Sequence, residues 1–180
     1  MRYASLPVIF YFLSAALLPL GVRAQADAGT LRLKAFQQHR DNWSRSPVKN
    51  LSWRLTGPDN KSGRCTDVAG VPNDPSVFYA AFATGGLWKT EDSGQHWFPL
   101  FDEQATLSIG AIAVAPSATH VLYVGTGEAN IFRASLPGNG IHRSDDGGRH
   151  FRHLGLTNTG TIARVIVHPY DPNTVYVAAS

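Results

Sequence analysis

The chain has 180 residues, 43% of them hydrophobic and 16% charged, with a formal net charge of +3. That length suits about one domain, and the single cysteine, Cys65, excludes a disulfide framework. Beyond Arg2 and Arg23 the chain carries 14 basic against 13 acidic side chains, so no bulk positive charge remains to attract nucleic acid.

Arg2 gives a basic start, and Ala4–Leu20 is apolar apart from Ser5 and Ser14. Val22-Arg23-Ala24 then forms a small-x-Ala signal. Residues 1–24 therefore read as a secretory signal peptide cut after Ala24, leaving a secreted or periplasmic chain with no membrane anchor. Residues 25–50 form a lead-in. Within it Ala28–Trp43 is predicted as a short amphipathic helix, Leu31, Ala35 and Phe36 near one face and Arg32, Lys34, Gln38 and Arg40 mostly elsewhere. Its expected role is a collar packed on the domain. Leu51–Pro58 alternates as a strand, with Leu51, Trp53 and Leu55 on one face. Asn-x-Ser triplets begin at Asn42, Asn50 and Asn60 and matter only in a eukaryotic secretory pathway.

Residues 51–180 repeat. The β-runs Arg64–Val71, Gly110–Ala115 and Thr161–His168 end at Pro72, Pro116 and Pro169. The turns N-D-P-S, S-A-T-H and Y-D-P-N follow, then V-F-Y-A-A at Val77, V-L-Y-V-G at Val121 and V-Y-V-A-A at Val175. Tyr79 to Tyr123 is 44 residues and Tyr123 to Tyr176 is 53. Self-similarity at this period is the mark of propeller blades. A second motif interleaves with the first. Gly86–Trp97 (G-L-W-K-T-E-D-S-G-Q-H-W) superposes on Gly140–Phe151 (G-I-H-R-S-D-D-G-G-R-H-F), pairing Thr90 with Ser144, Asp92 with Asp146, Gly94 with Gly148 and Trp97 with Phe151. In a tight hairpin the carboxylate accepts from backbone N–H groups, the hydroxyl adds a local bond, glycine supplies φ > 0 and the aromatic restarts the strand.

The predicted fold is all-β: a β-propeller of four-stranded blades behind a short N-terminal helix. Blade one covers about 64–100, blade two about 108–154, and a third begins over 161–180, about two and a half in all. The spacing Tyr123 to Asp146 is 23 residues against 13 for Tyr79 to Asp92, which places a ten-residue insertion at roughly Gly127–Gly138 in blade two. Propellers close with at least four blades. The chain accordingly reads as the N-terminal part of a longer protein, and its open blade edges should favour self-association.

The paired motif resembles the Asp-box, or BNR repeat, of sialidase, xyloglucanase, sortilin-like and photosystem II stability-factor propellers. With W-R-L-T-G-P at Trp53, G-G-L-W-K-T at Gly85, S-I-G-A-I-A-V-A-P at Ser108 and G-T-G-E at Gly125, nearly all the mature chain is similar to exported bacterial BNR proteins labelled sortilin-like or glycosyl-hydrolase-like. The resemblance implies that Thr90, Asp92, Gly94, Trp97, Ser144, Asp146, Gly148 and Phe151 are structural. It also implies a catalytic Asp before the Gly-Gly in xyloglucanases, where this chain has Ala83. Glycoside hydrolysis needs two carboxyl groups, so no catalytic residue is assigned. Sialidases would show an arginine triad; Arg54 and Arg64 do not make one.

The candidate ligand-binding residues are Glu128, Asn130, Arg133 and Asn139, joined by Ser135, in the inserted loop. Gly127, Gly138 and Gly140 are expected to give it backbone freedom. Its plain alternative is a solvated loop in which Glu128 pairs with Arg133 or with blade-edge backbone. His142, His150 and His153 lie near Asp146, but His150 and His153 point to opposite faces of a strand, so no metal and no cofactor is expected. Arg149–His153 reads as a basic guard on an outer strand, and Cys65 as a small core residue. The function expected is a scaffold that binds protein or polysaccharide through its loop face. The alternative is part of a xyloglucanase-like or sialidase-like glycoside hydrolase whose carboxylates lie in other blades.

Overall fold

The computed structural model describes residues 28–51, 63–130 and 135–180. The signal-like stretch, most of the Leu51–Pro58 strand with Arg54 and Trp53, and Arg133 lie outside the described residues. Among the described residues a helix, α1 (Ala28–Ser44), precedes ten strands: β1 (Cys65–Val71), β2 (Asp74–Phe82), β3 (Gly86–Thr90), β4 (Phe98–Pro99), β5 (Ile109–Ala115), β6 (Ala118–Thr126), β7 (Ile141–Ser144), β8 (Arg152–Gly155), β9 (Ile162–Val167) and β10 (Val175–Ala179). They form two four-stranded antiparallel sheets, β1-β2-β3-β4 and β5-β6-β7-β8, and a β9–β10 pair. The first strands neighbour one another, β1 beside β5 and β5 beside β9. Successive sheets are thus set side by side around their first strands. This is part of a β-propeller.

Two apolar clusters glue the sheets face to face. Tyr79, Leu87, Phe101, Ile109, Leu122 and Val124 fill the first junction, and Ala111, Val121, Tyr123, Ile141, Ile162 and Val165 the second. Successive residues of β6 point to opposite faces, and both faces are buried: Leu122 and Val124 enter the first cluster, Val121 and Tyr123 the second. Small residues stand on the first strand of the second sheet, where first strands converge: Ala111 and Ala115 of β5 are each 1% exposed or less. A radial fold narrows there and leaves room for little more than a methyl group.

A polar latch repeats at each junction. Tyr79 Oη donates to the Gly147 carbonyl of the next sheet at 3.2 Å, and Tyr123 Oη to the Pro172 carbonyl of the third at 2.8 Å. A cation on the neighbouring strand lies over each ring, Lys89 at 5.6 Å and Arg143 at 5.4 Å. An acid two residues on holds each cation: Glu91 on Lys89, Asp145 on Arg143.

Three expectations are corrected. The hairpins turn earlier than the four-residue segments suggested, over Pro72–Asn73 and Pro116–Ser117, because Val71 already pairs with Asp74 and Ala115 with Ala118. Asn73 takes φ 65° to allow so short a loop. Cys65 opens β1 at the rim, where the core has not yet begun, and its thiol is exposed. Leu31 is 62% exposed, so α1 is not held by an apolar face.

Candidate functional site

The two superposed motifs fold into the same turn. In the first, Thr90 Oγ1 donates to Asp92 Oδ1 at 2.9 Å and accepts from Gly94 N at 2.8 Å, while Asp92 Oδ1 also accepts from His96 N at 2.8 Å. In the second, Ser144 Oγ donates to Asp146 Oδ1 at 2.7 Å and accepts from Gly148 N at 2.8 Å. Asp146 Oδ1 then takes both Arg149 N and His150 N at 2.9 Å. The left-handed positions coincide as well: Ser93 and Gly94 at φ 62° and 91°, Gly147 and Gly148 at 72° and 96°. His96 and His150 each set Nδ1 2.6 Å from the free carboxylate oxygen. The backbone N–H of His96, then its ring, holds the Asp92 carboxyl down to about 2 against a smaller opposing effect of burial. At Asp146 burial is the largest influence and acts upward. The N–H and ring of His150, with Ser144 and Arg149 N, outweigh it and leave the carboxyl well below its usual range. Trp97 packs edge-on to Phe78 and Phe151 to Phe101. The hydrogen-bonding capacity of these groups is spent inside the turns.

Each turn leans on the first hairpin of its own sheet, Ser93 N on Ser76 O and Gly147 N on His120 O. The opposite, loop end of the sheets carries the candidate ligand residues. There Arg64, just before β1, reaches across to Glu128, just after β6, with Nε 2.8 Å from Oε1 and Nη2 paired to Oε2. The Glu128 side chain is 0% exposed and the Arg64 side chain 40%. Hydrogen bonding by Glu128 raises the Arg64 pKa, so the guanidinium stays charged. Glu128 is therefore committed to a residue of the preceding sheet; the expected partner Arg133 lies outside the described residues. Ala83 is fully buried and its N–H donates to the Arg64 carbonyl at 2.9 Å.

Asn139 is also fully buried. Its N–H donates to Thr126 Oγ1 at 2.8 Å, its Oδ1 accepts from the same hydroxyl at 3.1 Å, and His142 Nε2 lies 3.1 Å from that Oδ1. His153 Nε2 takes the Asn139 carbonyl at 2.7 Å. Two buried atoms, Asn139 Nδ2 and His142 Nδ1, find no hydrogen-bond partner among the described residues. Burial, with a smaller push from His153, drives the His142 pKa down to about 3. The ring is neutral at any ordinary pH.

Of the four candidate residues, Asn130 alone is both described and exposed. Ser135 Oγ ties the loop neck to the Asn130 carbonyl at 3.0 Å. The expected freedom of the loop glycines is a further correction. A Cβ on Gly127, which has φ 85°, would meet Gly160 O at 2.2 Å; on Gly138 it would meet the Thr126 backbone at 2.3 Å; on Gly140, Gly155 O at 2.0 Å. These glycines let backbones touch, and the loop base is tightly packed because of them. The three histidines are divided between Asn139 and Asp146. Among the described residues no group of three or more His, Cys, Asp or Glu side chains could hold a metal ion.

The sequence had raised Arg64 only as a member of a triad it does not form, and had no sign of Thr126 or of the buried role of His142. G-T-G-E at Gly125 was the available signal: its threonine and glutamate are the buried anchors of the loop.

No family model matches the chain, and no curated protein matches it. Among solved structures, an ancestral GH74 enzyme superposes over 63% of this chain with TM-score 0.52 at 19% identity. That likeness is one of fold. A GH74 enzyme from Niastella koreensis gives TM-score 0.49 over 62% at 25% identity, and YCF48 bound to D1 peptide gives 0.41 over 58% at 13%. The chain spans 16% of the length of either GH74 structure. Among the described residues no helix is long and apolar enough to cross a membrane.

Proposed function

We propose that this chain is an exported β-propeller scaffold that binds protein or polysaccharide through its loop face and holds no complete catalytic site. One observation carries the reading. Glu128, the acid of the G-T-G-E stretch, is buried with both carboxylate oxygens on Arg64, and Ala83 stands where the resemblance calls for a catalytic Asp. Glycosidic bond cleavage uses two carboxyl groups flanking the bond, one of them able to give a proton. A carboxylate with no exposed surface and one guanidinium held across both its oxygens is poorly placed for either part. What the loop face offers to a ligand is the exposed amide of Asn130, a hydrogen-bonding group on a rigid frame. The two equivalent turns fit the Asp-box role of fastening each sheet, and residues 1–24 fit export.

The second reading, part of a glycoside hydrolase, is favoured by the fold shared with a GH74 enzyme. In that reading carboxylates from other blades do the chemistry and this segment frames the cleft. The test is retention of the chain on immobilised glycans, xyloglucan and sialosides included, and on a peptide panel, with Asn130→Ala alongside. Binding that Asn130→Ala abolishes at unchanged circular dichroism supports the loop face. Binding indifferent to Asn130, or none in either panel, counts against it.

A further inference from the structure

The helix α1 touches the propeller through a few specific contacts near its start. Gly29 is buried so closely against the loop after β8 that a Cβ there would sit 1.8 Å from the Thr157 carbonyl oxygen. One turn on, Arg32 Nη1 donates to two consecutive carbonyls of the β6–β7 loop, Pro137 at 2.9 Å and Gly138 at 2.7 Å. Beyond Phe36 the helix stands away. Every residue from Gln37 to Arg45 is exposed. A groove of about 810 Å³ separates Phe36, Arg40 and Trp43 from Asp102 and Glu103 of the β4–β5 connection.

The carbonyls that Arg32 holds sit in the middle of the candidate site's frame. The preceding carbonyl, Leu136, accepts from Ser108 Oγ at 2.8 Å and from Glu128 N at 3.4 Å. The following residue is Asn139, anchored to Thr126. Pro137 and Gly138 thus link the segment that fixes Glu128 to the segment that fixes Asn139, and their carbonyls take their side-chain donor from 105 and 106 residues away in sequence. A partly buried carbonyl without a donor is costly, and a charged donor bonds more strongly than a neutral one.

We propose that α1 is a strap across the loop end of the propeller, with Arg32 its pin, and that Arg32 is a positioning residue for the loop-face site. While the pin is in place, Ser135–Asn139 is held against β5 and β6 and the Arg64–Glu128 pair keeps its place beside Asn130. When the pin is withdrawn, two adjacent carbonyls lose their donor and the segment loosens, while the sheets keep their own hydrogen bonds. The helix carries little apolar anchorage to resist release, since Leu31 is exposed and its outer half borders the open groove.

The test is hydrogen exchange by mass spectrometry on the whole chain. It compares the wild type with Arg32→Ala and with Gly29→Val, which attacks the other contact. The expected result is at least about tenfold faster exchange over 135–140 in both variants, with 86–100 in the first sheet unchanged. Unchanged exchange over 135–140 in Arg32→Ala overturns the proposal. So does equal acceleration over 86–100, which would make Arg32 a general stabiliser and not a pin. That arm is independent of any ligand. A second arm rests on the loop-face reading: where a ligand is retained, Arg32→Ala should weaken it about tenfold. Loosening without a change in affinity would leave the strap standing and remove the loop as the binding element.

Discussion

Acid should unfold this protein through His142. The ring is 2% exposed, edge-on to Phe101 and His153, and its pKa is about 3 against an ordinary 6.5. Between those two values the unfolded chain binds a proton that the folded chain refuses. Unfolding therefore takes up protons, and stability falls as pH falls through that window. The slope is about 1.4 kcal/mol per pH unit once the unfolded imidazole is fully charged. From pH 6.5 to 4 the loss comes to about 3 kcal/mol, a large share of a small domain's stability. Asp92 begins to contribute below about pH 5, because its carboxyl is lowered from 3.8 to about 2 on folding, but that loss is common to the wild type and the variant below. The assay is urea unfolding followed by tryptophan fluorescence at half-unit steps from pH 7 to 4, on the wild type and on His142→Gln. Glutamine keeps an amide toward Asn139 and cannot titrate, so whatever it costs at pH 7 should stay nearly constant. The difference between the two profiles isolates the ring. A His142→Gln curve that falls as steeply as the wild type would refute the reasoning and move the acid sensitivity elsewhere.

Tyr123→Phe removes the donor to Pro172 and the acceptor for Arg143 Nη1, each at 2.8 Å, and should cost about 1–2 kcal/mol in the same unfolding assay; no change would mean the latch is ornamental. Asp146→Ala strips two backbone N–H groups of their acceptor and should likewise cost about 1–2 kcal/mol, seen as a lower melting temperature. Gly110→Ala sets a methyl group 2.1 Å from Ile162 O and 2.3 Å from Gly127 O, both backbone. It should destabilise by about 3 kcal/mol or yield insoluble chain, whereas Gly70→Ala, with open space around it, should be tolerated.

What the sequence made legible was local. Thr90, Asp92 and Gly94 sit two residues apart and bond one another, so residue type and spacing carry most of the information. The apolar runs around Tyr79, Tyr123 and Tyr176 likewise announce strands of one repeated unit by their recurrence. The contacts that shape the loop end are long-range: Arg64 meets Glu128 across 64 residues, and Tyr79 meets Gly147 across 68. Nothing near Glu128 in sequence distinguishes a buried ion pair from a ligand-facing acid. Gly127 and Gly138 misled for a related reason. Glycine is chosen both where a chain must move and where two backbones must touch, and only the neighbouring chain tells which. Cys65 and Leu31 show the same gap, because their exposure depends on where the sheet's rim falls and on α1 being held by a guanidinium.

The account turns on Glu128 being the buried partner of Arg64 and not an acid that works on a substrate. The measurement that tests this most directly is product release from xyloglucan and sialosides, comparing the chain with Glu128→Gln. The account predicts no new reducing ends and no free sialic acid from either protein. Turnover by the unaltered chain that disappears in Glu128→Gln, with the variant still folded, would contradict it.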